Sequence, residues 1–280
     1  MVLLRCRGYV GARYKQPPHD VPDDPEHFYA YKKTQCRKCY LAYAAEWRAD
    51  RAANRTGTVP GAVNAAGARM VLDGVAQLRE VLALAGYTVV QAVARYTVFL
   101  APDTVAQTRG EPLFPVIRNM DMARRGSIDV GDDGRRVLLD DNTSPTRAFL
   151  WSAGLRKGPD VQFNHVWNDS RNRLAYTALW NLCATPAFLA KTTDGSNHPE
   201  VVAALRFRAY TLYGMRPVGE PVPAEPTGYA DLAWAPHPEP IDRLEDVLRA
   251  CLAANRKSRP ALACREIGWL FSDWQPDPTI

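Results

Sequence analysis

Apolar residues recur along the chain with two periods, and the period predicts which segments are helical and which are extended. Val71, Val75, Leu78 and Leu82 fall on one face at helical spacing, and Gly86 can end that helix. Segments rich in β-branched and aromatic residues favour strands. The pattern predicts helices over 67–85, 199–213 and 241–256, and strands over 87–91, 96–100, 136–139 and 161–167. A mixed α+β fold is therefore expected.

Helix-starting and helix-breaking residues divide the chain further. Thr185-Pro186 predicts a helix start, with Thr185 as N-cap and Pro186 in the first turn. Seven prolines lie between residues 215 and 240, which predicts a linker or an extended arm. We therefore expect three parts: a small basic module (1–60), a mixed α/β body (61–214), and a proline-rich arm with a C-terminal helix (215–280).

Positive charge is concentrated at the start of the chain. The net charge of the whole protein is +5, and residues 1–60 carry eleven Lys/Arg against six Asp/Glu, so the other 220 residues sum to zero. A basic module on a neutral body suits a polyanionic partner, and an ordinary solvated basic face would give the same count. The residues expected to contact phosphates are Lys32, Lys33, Arg37, Lys38, Arg48 and Arg51.

Composition excludes two classes of protein. A hydrophobic share of 46% argues against global disorder, and no run of about 18 apolar residues is long enough to span a membrane. The start of the chain is too short to form the core of a signal peptide. We therefore expect a cytoplasmic protein whose six cysteines are reduced thiols or metal ligands.

The stretch with the clearest chemistry begins with a predicted strand that ends in Asn164-His165. A loop follows, then Asn181-Leu182, then the predicted short helix after Thr185. Histidine is the usual general base near neutral pH, and a strand end can direct its ring into a cleft. The competing interpretation is a half-buried strand histidine that is hydrogen-bonded to backbone.

This arrangement resembles the HNH, or ββα-metal, endonuclease family over about residues 160–198. In that family an Asp/Asn-His pair ends the first strand, and an Asn-Leu follows about fifteen residues later. The resemblance implies that His165 activates water and that Asn164 binds a divalent cation, expected to be Mg²⁺. It also implies that Asn181 either fixes the ring of His165 or binds the metal itself.

The sequence departs from the family pattern on the helix. The position that often carries a metal-binding histidine falls near Ala190 and Lys191. Asp194 and His198 lie further along the chain, and either could supply the missing ligand. Asn164 also replaces the commoner Asp, which removes one negative charge from the implied metal site.

Cys36-Arg37-Lys38-Cys39 resembles the second half of a small zinc module that often precedes HNH domains. Zinc needs four ligands in a structural site. Cys6 is the one further cysteine nearby, and His19 and His27 are the available histidines. We expect a structural Zn²⁺ held by Cys6, Cys36, Cys39 and a histidine, with His27 chosen, while two free thiols remain the alternative.

Asp140-Asp141-Asn142 is a second candidate for cation binding. Adjacent acids can hold a divalent ion, but the run Asp141–Pro145 is also ordinary turn chemistry, and the turn is favoured.

The resemblance as a whole implies a metal-dependent endonuclease that hydrolyses double-stranded DNA. The chain is longer than a bare HNH domain needs, and the extra length suits sequence recognition, as in a restriction enzyme. No membrane partner is expected, and monomer and homodimer both stay open. The alternatives are a zinc-containing DNA-binding protein without catalysis, and an HNH-like fold used for another hydrolytic reaction.

Overall fold

The computed structural model divides the chain into two compact units, Met1–Leu72 and Asp73–Ile280. The structure describes residues 3–6, 9–10, 15–16, 18–22, 36, 38–39, 41–42, 45, 73–131, 133–167, 170–193 and 197–280. The mixed α/β class predicted from the sequence is confirmed. None of the helices in these described ranges is long and apolar enough to cross a membrane.

The first unit contains two small antiparallel pairs of strands. Strands β1 (Leu3–Cys6) and β4 (His19–Pro22) pair with each other, and β2 (Tyr9–Val10) pairs with β3 (Lys15–Gln16). In the β1–β4 register, Cys6 lies opposite His19. Lys38 and Cys39 are helical.

The second unit begins with helix α1 (Gly74–Leu84). Asp73 caps it, since its carboxylate accepts hydrogen bonds from the backbone N–H groups of Val75 and Ala76 at 3.0 and 3.1 Å. The helix predicted over 67–85 is therefore confirmed from Gly74 onward, and its first residues lie outside the described ranges.

A predicted strand over 87–91 is wrong, because this segment starts helix α2 (Val89–Tyr96). Thr88 and Gln91 form a capping box, in which each side chain bonds the backbone N–H of the other residue. Helix α3 (Pro102–Ala106) follows. The predicted strand over 96–100 is reduced to one isolated bridge, between Val98 and Ala184.

A three-stranded sheet occupies the middle of the chain. Strand β5 (Val116–Arg118) runs parallel to β7 (Arg136–Asp140), and β6 (Ile128–Val130) runs antiparallel to it, in the order β5-β7-β6. The strand predicted over 136–139 is confirmed.

Helix α4 (Thr143–Ser152) follows β7 directly. The run that suggested a turn is its start: Asp141 Oδ1 accepts from the Thr143 N–H at 2.9 Å, and Asp140 Oδ2 accepts from the Ser144 N–H at 2.6 Å. The carboxylates of Asp140 and Asp141 also take an ion pair from Arg259, at 2.5 and 2.8 Å. Asp140 is fully buried, so this charge is neutralised inside the core.

Two long antiparallel strands, β8 (Val161–His165) and β9 (Leu182–Pro186), form a hairpin, and helix α5 (Ala187–Ala190) follows β9 without a break. The helix start predicted at Thr185-Pro186 is wrong by one residue, since Pro186 is the N-cap and the helix begins at Ala187. Thr185 belongs to β9, where its hydroxyl accepts a hydrogen bond from Asn164 Nδ2 at 2.5 Å instead of capping a helix.

The C-terminal half confirms two predicted helices, α6 (Pro199–Tyr213) and α7 (Leu244–Ala254). Between them the proline-rich segment has no helix or strand apart from one short 3₁₀ helix at Tyr229–Asp231, and the chain turns at Pro217–Glu220. Helix α8 (Arg259–Glu266) was not predicted; Ser258 caps it and Pro260 lies in its first turn. Apolar side chains of α7 and α8 join the main hydrophobic cluster, and Trp269 stacks on Phe114 with ring centroids 6.3 Å apart.

Candidate functional site

A cluster of three cysteines and one histidine lies in the first unit. Cys6, Cys36, Cys39 and His19 have ligand atoms that all lie within 4.8 Å of one another. The β1–β4 pairing brings Cys6 beside His19, and the two-residue spacing in Cys36–Cys39 lets both thiols reach the same point. Cys36 Sγ lies 3.6 Å from His19 Nε2. Four such atoms around one zinc ion would lie roughly 3.8 Å apart, given Zn–S bonds of about 2.3 Å.

The environment of these thiols suits a cation. All three cysteines are buried. Burial and the neighbouring thiols Cys36 and Cys6 raise the pKa of the Cys39 thiol to about 12, because a second negative charge in this position would be repelled. A divalent cation among the sulfurs reverses that repulsion and stabilises thiolates. The cluster can therefore bind a metal such as zinc.

Three of the four ligands predicted from the sequence are in this cluster. Cys6, Cys36 and Cys39 are present, and His19 occupies the position for which His27 was chosen. His27 lies outside the described residues, as do five of the six residues predicted to bind nucleic acid: Lys32, Lys33, Arg37, Arg48 and Arg51. The sixth, Lys38, is exposed.

The second unit contains a polar cleft of about 220 Å³ beside the β8–β9 hairpin. We refer to it as the His165 cleft. Strand β8 supplies one wall, the ends of β5 and α5 supply two cations, and the start of α4 supplies an amide. The lining residues are Arg118, Asn142, Gln162, Phe163, Asn164, His165, Ser170, Ala190 and Lys191.

The ring of His165 is held on two sides by Tyr176. Its Nε2 lies 2.9 Å from the carbonyl oxygen of Tyr176, and the two rings stack with centroids 5.1 Å apart and 14° between their planes. Because a carbonyl oxygen only accepts, Nε2 must carry the proton, and in the neutral ring the basic lone pair is then on Nδ1. A neutral ring in this tautomer can take up a proton at Nδ1, which is what a general base must do.

Tyr176 is itself fixed by the fold. It is fully buried, and its hydroxyl donates to the Asp141 carbonyl oxygen at 3.0 Å. Burial and the nearby Asp140 raise the pKa of this hydroxyl, so it remains a donor near neutral pH. The start of α4 is in this way connected to the His165 ring through a single side chain.

The side chain of Asn181 is hydrogen-bonded to the backbone of the loop between strands β8 and β9. It is fully buried; its Oδ1 accepts from the Trp167 N–H at 2.9 Å, and its Nδ2 donates to the Ala175 carbonyl at 3.0 Å. The sequence interpretation gave this residue the role of fixing the histidine ring or binding metal. Among the described residues its side chain bonds the backbone groups of Trp167 and Ala175, and Ala175 directly precedes Tyr176.

The residues expected to bind a metal are not all brought together. Asn164 lines the His165 cleft. His198 does not; it is buried at the start of α6 with Nδ1 3.2 Å from Glu200 Oε1. Asp194 lies outside the described residues.

The polar side chains in the described lining of the cleft are neutral or positively charged. Asn142, Gln162 and Asn164 offer amide oxygens, and Asn142 Oδ1 is buried without a hydrogen-bond partner in the described structure. Arg118 and Lys191 add positive charge, and no Asp or Glu is present in this part of the lining. Because Mg²⁺ is usually held by one or two carboxylates, the described lining does not by itself fit a magnesium ion.

Comparison with known proteins gives no family, since no family model, curated protein or solved structure matches the chain.

Proposed function

We propose that the protein is an endonuclease that hydrolyses phosphodiester bonds of double-stranded DNA, with His165 as the general base. The observation that carries this proposal is the orientation of His165. Its ring is fixed by the Tyr176 carbonyl in a cleft that also presents Arg118 and Lys191. A base next to two cations is what hydrolysis of an anionic ester requires, because the nucleophile must lose a proton and the phosphate charge must be offset.

The order of elements around the cleft supports the same reaction class. A hairpin whose first strand ends in the base is followed at once by a short helix, which is the arrangement that the HNH resemblance implies. In this proposal His165 Nδ1 takes a proton from a water molecule. Arg118 and Lys191 bind the phosphate oxygens, and Asn142 Oδ1 is an acceptor that a bound water can satisfy.

The resemblance also implies a Mg²⁺ ion, and the described lining does not fit one by itself. We therefore assign no step to a metal in the His165 cleft. A structural zinc in the first unit is a separate part of the proposal, and it rests on the Cys6, His19, Cys36 and Cys39 cluster.

The proposal is tested by incubating the purified protein with supercoiled plasmid in either Mg²⁺ or EDTA. Conversion to nicked and linear DNA supports it. Cleavage only with Mg²⁺ would show that a ligand outside the described lining completes a metal site. Binding without cleavage in either condition would favour the second candidate, a zinc-containing DNA-binding protein, which the Cys–His cluster supports.

The two cations of the cleft give a further prediction. Replacing Arg118 and Lys191 together with alanine is expected to reduce cleavage by about 10²-fold, because both are proposed to offset charge on the phosphate in the transition state. The measurement is a plasmid-cleavage time course.

Arg156→Ala with Lys157→Ala is the matched control. This adjacent Arg–Lys pair is exposed and lines neither the His165 cleft nor the cavity described below. Equal losses in the two double variants would contradict a specific role for Arg118 and Lys191.

A further inference from the structure

A second positively charged cavity lies at the turn between α7 and α8. Its volume is about 480 Å³, and its lining residues are Arg147, Ala253, Ala254, Asn255, Arg256, Lys257 and Ser258. Three of these seven residues are cations and none is acidic. Arg256 and Lys257 are exposed, whereas Arg147 reaches the cavity from α4 and is partly buried. We refer to it as the Arg147 cavity.

Arg147 has a buried nitrogen whose position calls for a hydrogen-bond acceptor. Its Nη1 is buried, and no hydrogen-bond acceptor contacts it in the described structure. The guanidinium lies 5.7 Å from the centroid of the Trp151 ring, which favours a cation but accepts no conventional hydrogen bond. A buried charged donor without an acceptor is costly, and an anion in the cavity would offset the charge of this partly exposed guanidinium group.

The carboxylates of the described residues do not supply that acceptor. Asp140 and Asp141 are the acids nearest in sequence to α4, and both are paired with Arg259. Burial, together with the charge of Arg259, lowers the pKa of Arg147, although Asp140 opposes this effect. Among the described residues, no salt bridge joins Arg147, Arg256 or Lys257 to an acid. Positive charge in this cavity is therefore in excess.

An anion with several oxygens fits such a site. Guanidinium groups bind phosphate through two parallel hydrogen bonds, and a lysine ammonium adds a point charge. The Ser258 hydroxyl, which accepts from the Ala261 N–H at 3.3 Å, carries its own proton and can donate it to a ligand oxygen. A phosphodiester presents two non-bridging oxygens, the number that a bidentate guanidinium contact needs.

We propose that the Arg147 cavity binds a phosphate group of the nucleic-acid backbone, as a contact additional to those in the His165 cleft. This inference rests on the proposed function and names a second part of the DNA-binding surface. Helix α4 joins the two places, because Asn142 at its start lines the His165 cleft and Arg147 lies five residues further on.

The test replaces Arg256 and Lys257 with alanine and measures binding of a 20-base-pair duplex in EDTA over a series of salt concentrations. Both residues are exposed, so the variant is expected to fold. We expect affinity to fall roughly tenfold and the slope of log affinity against log salt to decrease by about 1. The matched control is again Arg156→Ala with Lys157→Ala, which removes the same two residue types from another exposed site.

A second arm measures binding of tripolyphosphate to the same three proteins, which separates this inference from the proposed function. If the parent protein binds no DNA but its tripolyphosphate affinity falls only in the Arg256/Lys257 variant, the phosphate site stands and the nucleic-acid function fails. If the Arg256/Lys257 variant and the control equal the parent in both arms, the inference is overturned, even where His165→Ala abolishes cleavage. Equal losses in the two variants would also overturn it, since the effect would then be general charge.

Discussion

Replacing His165 with alanine is expected to reduce plasmid cleavage by about 10²–10⁴-fold, which is the usual loss when a general base is removed. The reason is the fixed tautomer. Since the Tyr176 carbonyl accepts from Nε2, the neutral ring has its basic nitrogen at Nδ1, and alanine offers no replacement for it. Affinity for duplex DNA in EDTA should remain within about threefold of the parent, because the lost ring is not among the proposed phosphate-binding cations.

His237→Ala is the matched control for this experiment. His237 is exposed in the proline-rich segment, and its Nδ1 contacts the Pro238 carbonyl, outside the His165 cleft. The control should cut at the parent rate. Cleavage at the parent rate by folded His165→Ala would instead mean that His165 is a structural strand histidine and that another residue activates water.

The second large effect concerns the cluster of Cys6, His19, Cys36 and Cys39. Protein purified without chelator is expected to contain one zinc per chain, and Cys36→Ser with Cys39→Ser should contain almost none. Structural zinc sites contribute apparent binding free energies of about 10–16 kcal/mol, so the first unit should also lose its protection from protease. The measurements are metal analysis and limited proteolysis on the same samples.

Two comparisons make this prediction specific. Cys251→Ser removes a thiol from α7, outside the cluster, and should leave the zinc content unchanged. His19→Ala should lower zinc affinity, whereas His27→Ala, which replaces the ligand chosen from the sequence, should not. Full zinc content in the Cys36/Cys39 variant would contradict a site formed by these cysteines.

The sequence was sufficient for the parts of the candidate sites that depend on local spacing. Two residues separate Cys36 from Cys39, and His165 ends a short strand that contains Val161 and Phe163, so their positions follow from short-range pattern. The choice between His19 and His27 as the zinc ligand could not be made from local spacing. It depends on the β1–β4 register, which places His19 opposite Cys6, and pairing register leaves little signal in one short strand.

The sequence also could not predict contacts in which a backbone group holds a side chain in place. Tyr176 orients His165 through its carbonyl oxygen, which every residue possesses, so no residue type marks the role. Asn181 was identified, but its two backbone hydrogen bonds became apparent only from the folded loop. Arg118 is brought to its cavity by β5 and Arg147 by α4, and neither of these two elements was predicted from the sequence.

Local capping chemistry explains the wrong strand prediction. Val89 and Val90 are β-branched and favoured a strand, but Thr88 and Gln91 satisfy the first backbone donors of a helix. Val89, Ala92 and Val93 then contribute to one buried helical face. The same principle applies at Asp141–Pro145, where residues typical of turns begin α4.

The ion pair between Asp140 and Arg259 has a consequence for how this sequence can evolve. Losing Arg259 alone would leave the buried Asp140 carboxylate uncompensated, at a cost of about 3 kcal/mol or more, whereas exchanging both for apolar residues of similar volume can be nearly neutral. Losing Asp140 alone should cost less, because Arg259 stays paired with Asp141. A lineage that changes position 259 is therefore expected to carry a compensating change at position 140, 119 residues away in the chain.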